Sequence, residues 1–172
     1  MISKPAILFA ALAMAFGGTA HAQAPNDAEI AAIVVAANAV DIDAGKLAAQ
    51  KGSTKEVRDF GQRMVTDHSG VNQQASALVK KLGVTPMDNA TSKSLKDGGK
   101  ANMDKLAKLS GAQFDKAYVE HEVAYHQAVL DTIDKTLVPN ARNAELKALI
   151  VKVRPAIDAH LQHAKHMQSS MK

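Results

Sequence analysis

Four helix-length stretches of this chain each place one metal-ligand-type side chain inside the apolar stripe that must face a core: Asp41, His68, His126 and His160. Burying an imidazole or a carboxylate is costly unless a hydrogen bond or a cation compensates. The stripes follow the 3.6-residue period of a helix. In the first stretch Ile30, Ile33, Val34, Ala37, Ala44 and Ala48 share a face, with Asp41 at its middle. His68 sits among Val57, Gly61, Met64, Val71, Ala75, Leu78 and Leu82. His126 aligns with Val119, Val123, Leu130, Ile133 and Leu137, and Glu122 lies one turn earlier near the edge of that stripe. His160 joins Leu146, Leu149, Ile150, Val153, Ile157 and Ala164. No stretch alternates as a strand would, so these faces must close on one another as packed helices.

Local signals mark the boundaries. The first helix is predicted from Asn26-Asp27, with Glu29 in its first turn, to Lys51 before Gly52. Ser53-Thr54-Lys55-Glu56 reads as a capping box opening a helix that runs to Leu82, where Gly83 and then Pro86 stop it. In the long segment that follows, Gly98-Gly99 argues for only a short helix, over Ala101–Leu109. Ser110-Gly111-Ala112-Gln113 is a second capping box, starting a helix to about Leu137. Pro139-Asn140 makes a turn, and the last helix is expected from Ala141 to Gln168. Short links demand antiparallel neighbours. The expected fold is all-α: an antiparallel four-helix bundle with a short extra helix in the long central crossover.

Residues 1–22 read as an export signal. Lys4 supplies a positive start, Ala6 to Phe16 an apolar run, and Ala20-His21-Ala22 a small-x-small cleavage pattern before Gln23. The run is too short to span a bilayer. Residues 23–172 are therefore expected to form one helical domain, periplasmic or secreted, without stable membrane insertion. The absence of cysteine excludes disulfides, thiolate metal sites and a lipoprotein-type Cys anchor. A net charge of +4 is spread along the chain. Its one concentration, Lys93, Lys96, Lys100, Lys105 and Lys108, lacks interleaved aromatics and reads as a solvated face, not a nucleic-acid surface.

Two readings of the inward polar residues stay open: a shared metal site, or a metal-free buried Asp–His network. Imidazole with carboxylate suits Zn, Cu, Fe, Ni or Mn. Met64 could add a thioether and favour copper, although Met at a core position commonly fills space. Counted back from the first turn, Asp41 and His68 differ in height by roughly 7 Å, a gap that tilt and side-chain reach must absorb. Asp67 is a candidate to orient an imidazole from behind. Of the tail histidines, His160 points inward, His163 falls at the margin and His166 outward; His121 lies opposite His126. Pro155 is expected to bend the last helix just before His160. Nucleophilic catalysis has little support, since there is no Cys, no Ser in an elbow motif and no phosphate-binding glycine loop.

Three segments carry a resemblance: Val57 to His68 (with Met64-Val65-Thr66-Asp67-His68 at its end), Phe114-Asp115-Lys116-Ala117-Tyr118-Val119 through His126-Gln127, and Pro155 to His160-Leu161. They are similar to a bacterial exported family catalogued as domain of unknown function 4142, whose members are often labelled outer-membrane proteins. The resemblance covers nearly all of the chain after the signal. It implies a ferritin-like four-helix bundle and brings no established activity. Its motif histidines correspond to His68, His126 and His160, with Asp41 standing where Glu is the commoner residue. Di-iron bundles use Glu-x-x-His on two helices. Here Val65 and Ile157 precede His68 and His160 by three, which argues against a ferroxidase centre and for a histidine-rich mononuclear site. The outer-membrane label fits poorly with a chain lacking barrel alternation.

The expected function is transition-metal binding between helices through His68, His126 and His160, with Asp41 or Glu122 supplying a carboxylate, in a role such as envelope stress protection and with no defined turnover reaction. One alternative is a metal-free structural or protein-interaction module. The other is a redox metalloenzyme, which needs an open coordination position.

Overall fold

Capping groups set where the helices begin. Asn26 accepts from the Glu29 amide and Glu29 reaches back to the Asn26 amide, so α1 (Asp27–Lys51) opens on a complete capping box. α2 (Lys55–Leu82) is capped by Thr54, whose hydroxyl accepts from the Val57 amide, and it ends on Gly83 in the left-handed conformation at φ 64°. α3 (Ala90–Leu106) starts on Asn89 and Ser92. α4 (Gly111–Thr132) continues through a π-helical turn (Ile133–Leu137) and a last short turn (Val138–Asn140). α5 (Ala144–Ser170) is capped by Asn143, which accepts from the Glu145 and Leu146 amides. This computed structural model describes residues 24–171, and among them there are five helices and no strand. The expected signal, with His21, lies outside the described residues.

Several boundaries differ from expectation for identifiable reasons. Ser53 does not cap α2, because Asp115 takes both its hydroxyl and its amide (2.5 and 2.8 Å). Ser110 makes no capping hydrogen bond. α5 begins three residues later than expected, after Asn143. α3 is not short: it runs straight across Gly98-Gly99. Gly99 is buried against α1, and a Cβ there would stand 2.7 Å from the Val40 side chain. The close approach of α3 to α1 outweighs the roughly 1 kcal/mol that a mid-helix glycine costs.

α1 and α2 form an antiparallel hairpin whose axes meet at two glycines. A Cβ on Gly45 would lie 2.7 Å from the Gly61 carbonyl oxygen, and one on Gly61 equally close to that of Gly45. Farther along the same register Asn38 faces His68. α4 and α5 form the second hairpin, with Asp134 paired to Arg154 near its turn and His126 beside His160 farther in. α1 is not the one-sided helix its stripe suggested. Ala31, Ala32, Ala36 and Val40 are also buried, because α3 covers a second side of it.

Two apolar clusters fill the bundle, one around Phe60, Met64, Phe114 and Tyr118, the other around Ile30, Ile33, Leu130 and Ile150. The turns of both hairpins are tied across the bundle by carboxylates. Asp115 of α4 accepts from Ser53 and Thr54 in the α1–α2 turn, and Asp27 of α1 accepts from the Arg142 and Asn143 amides before α5. No described helix is long and apolar enough to cross a membrane.

Candidate metal centre

Between the two apolar clusters each long helix contributes a polar side chain. Along α1 Asp41 falls between Ile33 and Ala44; along α4 Glu122 and His126 fall between Val119 and Leu130; along α5 His160 falls between Ile157 and Ala164. His68 comes from α2. All five are buried. They form two overlapping groups, His68–His126–His160 and Asp41–Glu122–His126. Within each group one candidate ligand atom per residue lies within 4.8 Å of the others. The imidazole centroids are 5.3 to 5.8 Å apart.

Each imidazole has one nitrogen occupied from behind. His68 Nδ1 donates to Asn38 Oδ1 at 2.7 Å, and Asn38 is fixed as the acceptor because its Nδ2 donates to the Val34 carbonyl at 2.8 Å. His126 Nδ1 donates to the Glu122 carbonyl at 3.0 Å. His160 Nε2 donates to Asp67 Oδ2 at 2.9 Å. These bonds fix the tautomers of the neutral His68 and His160 rings and the orientation of His126. The other nitrogens, His68 Nε2, His126 Nε2 and His160 Nδ1, are buried and have no hydrogen-bond partner. Asp41 Oδ1 and both Glu122 carboxylate oxygens are likewise without one. Asp41 Oδ2 stands 3.4 Å from His68 Nε2.

The family model for a domain of unknown function, DUF4142, matches residues 13–167. The chain belongs to this family. No curated protein and no solved structure matches it. What a DUF4142 chain can do chemically therefore has to be read from its own site.

Buried polar atoms without a hydrogen-bond partner are costly, by about 1–3 kcal/mol for each, although Glu122 Oε2 stands 3.3 Å from His126 Nδ1. A cation that accepts their lone pairs removes that cost, and imidazoles held by an outer acceptor are the usual way proteins present such ligands. Protonation states agree with this role for two of the three histidines. Burial, reinforced by the neighbouring His126 and His160, holds His68 down to about 3. Burial also lowers His160, against the pull of its Asp67 bond. Both are neutral at pH 7. For His126 burial acts downward, but the Asp41 and Glu122 carboxylates override it and raise the group to about 9. Burial lifts Asp41 well above the carboxylate range, with His126 opposing.

Every residue anticipated as a ligand lies in this cluster. Asp41 and His68 are in contact despite the height mismatch. Their true offset is about three residues, since Asn38, not Asp41, is level with His68, and side-chain reach spans about 4.5 Å. Glu122, expected near an edge, is fully buried. Met64 packs with Phe60 and Phe114 and belongs to the apolar core. Asp67 orients His160 as anticipated. The tail histidines separate: His163 rests its ring against Phe60, and His166 is exposed. His121 stacks on Tyr125 away from the cluster. α5 runs through Pro155 as unbroken helix. Asn38 was not anticipated, although its position one turn before Asp41, on a stripe of Ala and Val, was a usable signal.

A cleft of about 290 Å³ opens between α2 and α5. Asp67, Gln74 and Lys152 stand at its sides, and His68 and His160 line it as well. Two of the three imidazoles therefore border this cleft, while their inward nitrogens stay buried.

Proposed function

We propose that this protein binds one transition-metal ion inside a ferritin-like bundle, through His68, His126 and His160, with Asp41 or Glu122 as a carboxylate ligand. The observation that carries the reading is the inward trio of unpartnered nitrogens, each belonging to a ring whose other nitrogen is already bonded. Imidazole and carboxylate without thiolate suit Zn, Cu, Fe, Ni or Mn. The likeness to ferritins rests on architecture: two antiparallel hairpins joined by a long crossover, with ligand-type side chains from all four long helices. The cleft that His68 and His160 border is the side from which an ion would enter. We place the protein outside the cytoplasm, in metal handling that protects the envelope, and assign it no turnover reaction.

A second reading has its own support. His126 with Asp41 and Glu122 can hold a proton in place of a metal, giving a buried network that fixes helix register.

Elemental analysis of protein purified from its native compartment separates the two. The metal reading expects near-stoichiometric metal, lost in a His68→Ala/His160→Ala double variant, and a melting temperature raised by the same ion. Metal-free protein whose melting temperature ignores added Zn, Cu, Fe, Ni and Mn would leave the structural network standing. Metal-dependent consumption of peroxide or oxygen would instead make the protein a redox enzyme.

A further inference from the structure

We infer that the bundle also holds a site for a small organic molecule: a single six-membered ring carrying one hydroxyl, of the size of phenol. A cavity of about 150 Å³ lies beside the polar cluster, enclosed by residues of all five helices. Its walls are apolar, with Ile33, Val71, Leu95, Ile133, Ile150 and Ile157 among them. Dry cavities of this size and lining take up benzene-sized molecules. Two of its lining residues, Thr91 on α3 and Ala128 on α4, are exposed and mark where it meets solvent.

The polar groups of the lining decide the chemistry. Asn38 is used on both sides, donating to Val34 and accepting from His68. The Tyr125 hydroxyl donates to the Ala37 carbonyl at 3.0 Å, and that of Thr132 to the Ala128 carbonyl at 2.8 Å. Asp41 differs: it is 2 % exposed, it lines the cavity, and its Oδ1 has no hydrogen-bond partner. The unpaired Asp41 oxygen, with the bare Nε2 of His68 beside the same carboxyl group, borders an otherwise apolar chamber and asks for one polar group on the guest. A hydroxyl can donate or accept, so it pairs with Asp41 in either protonation state. A carboxylate guest would give up its hydration in a chamber whose lining offers no lysine or arginine to pair with it. The inference does not require a bound ion, and it goes beyond the metal reading.

The test is calorimetric titration of the full-length folded protein, metal-stripped and metal-loaded, with phenol, benzene and benzoate. Phenol is expected to bind with one-to-one saturation, at least tenfold more tightly than benzene, and benzoate not at all. Ala37→Leu and Ala128→Phe each fill part of the cavity and are expected to abolish phenol binding while leaving a cooperative melt. Asp41→Leu should bring phenol down to the affinity of benzene. Absence of saturable phenol binding overturns the inference, and so does binding indifferent to both filling variants. Because phenol is titrated without metal as well as with it, its failure and a failure of metal uptake are read separately.

Discussion

Asn38 grips His68 through a 2.7 Å hydrogen bond to Nδ1, and that single contact decides which nitrogen of His68 faces the interior. The amide is itself locked by the Val34 carbonyl one turn back on α1. The α1–α2 hairpin thereby presents a neutral imidazole with Nε2 bare.

Asn38→Leu keeps the branched outline of the side chain, with bulkier tips, but removes the acceptor. It is expected to weaken metal binding by about 10- to 100-fold, the usual effect of losing the group behind a ligating histidine. Competition against a chromogenic chelator measures it, with His68→Ala as the reference for complete loss of the ligand.

Metal affinity should rise with pH up to about 9. The metal-bound form needs His126 deprotonated, whereas without metal that group keeps its proton until about 9. Binding below that pH therefore releases at least one proton, and affinity gains about tenfold per pH unit through neutrality. Calorimetry in buffers of different ionisation enthalpy counts the proton. A pH-independent affinity between 6 and 8 would contradict the assigned role of His126.

Without metal the two perturbed histidines act on stability in opposite senses. His68 is depressed to about 3, so its contribution is present above the ordinary value of 6.5 and is lost as pH falls toward 3. His126 is raised to about 9, so its contribution is complete below 6.5 and lost as pH rises toward 9. Urea denaturation of metal-free protein should show decline on both sides. His126→Gln is expected to remove the histidine's share of the alkaline decline, leaving that of the raised Asp41, and to keep the acid decline.

Asp115→Ala should be among the more damaging changes outside the cluster. The carboxylate is buried and serves two amides and one hydroxyl of the α1–α2 turn. Leaving those groups unpaired costs about 3 kcal/mol. Asp27→Ala, whose bonds at the other turn are more exposed, is expected to cost about 1 kcal/mol. Chemical denaturation of the two variants side by side gives the comparison.

Two glycine substitutions should have opposite signs. Gly61→Ala drives a methyl to within 2.8 Å of the Ala48 Cβ and Ala49 nitrogen, and 2.7 Å of the Gly45 oxygen, forcing the hairpin apart. Its cost is about 2–3 kcal/mol. Gly98→Ala meets nothing within 4 Å on an exposed helical face and should stabilise by up to about 1 kcal/mol. Thermal melts resolve both.

The chain's own periodicity and caps determined most of the helical frame: Asn26 and Glu29 open α1, Gly83 closes α2, and the stripes turn Asp41, His68, His126 and His160 inward. These are local effects, set by neighbours within a turn or two. Contacts between helices decided the rest. Gly99 is tolerated inside α3 because Val40 of α1 occupies the space a side chain would need. Ser53 is diverted from capping by Asp115, which is distant in sequence. Glu122 is sealed into the interior, and Asn38 and Asp67 choose the nitrogens that His68 and His160 turn toward each other. A single helix's phase states which way a side chain points. Which of its atoms is left bare depends on hydrogen-bond partners on other helices, and only packing brings those within reach.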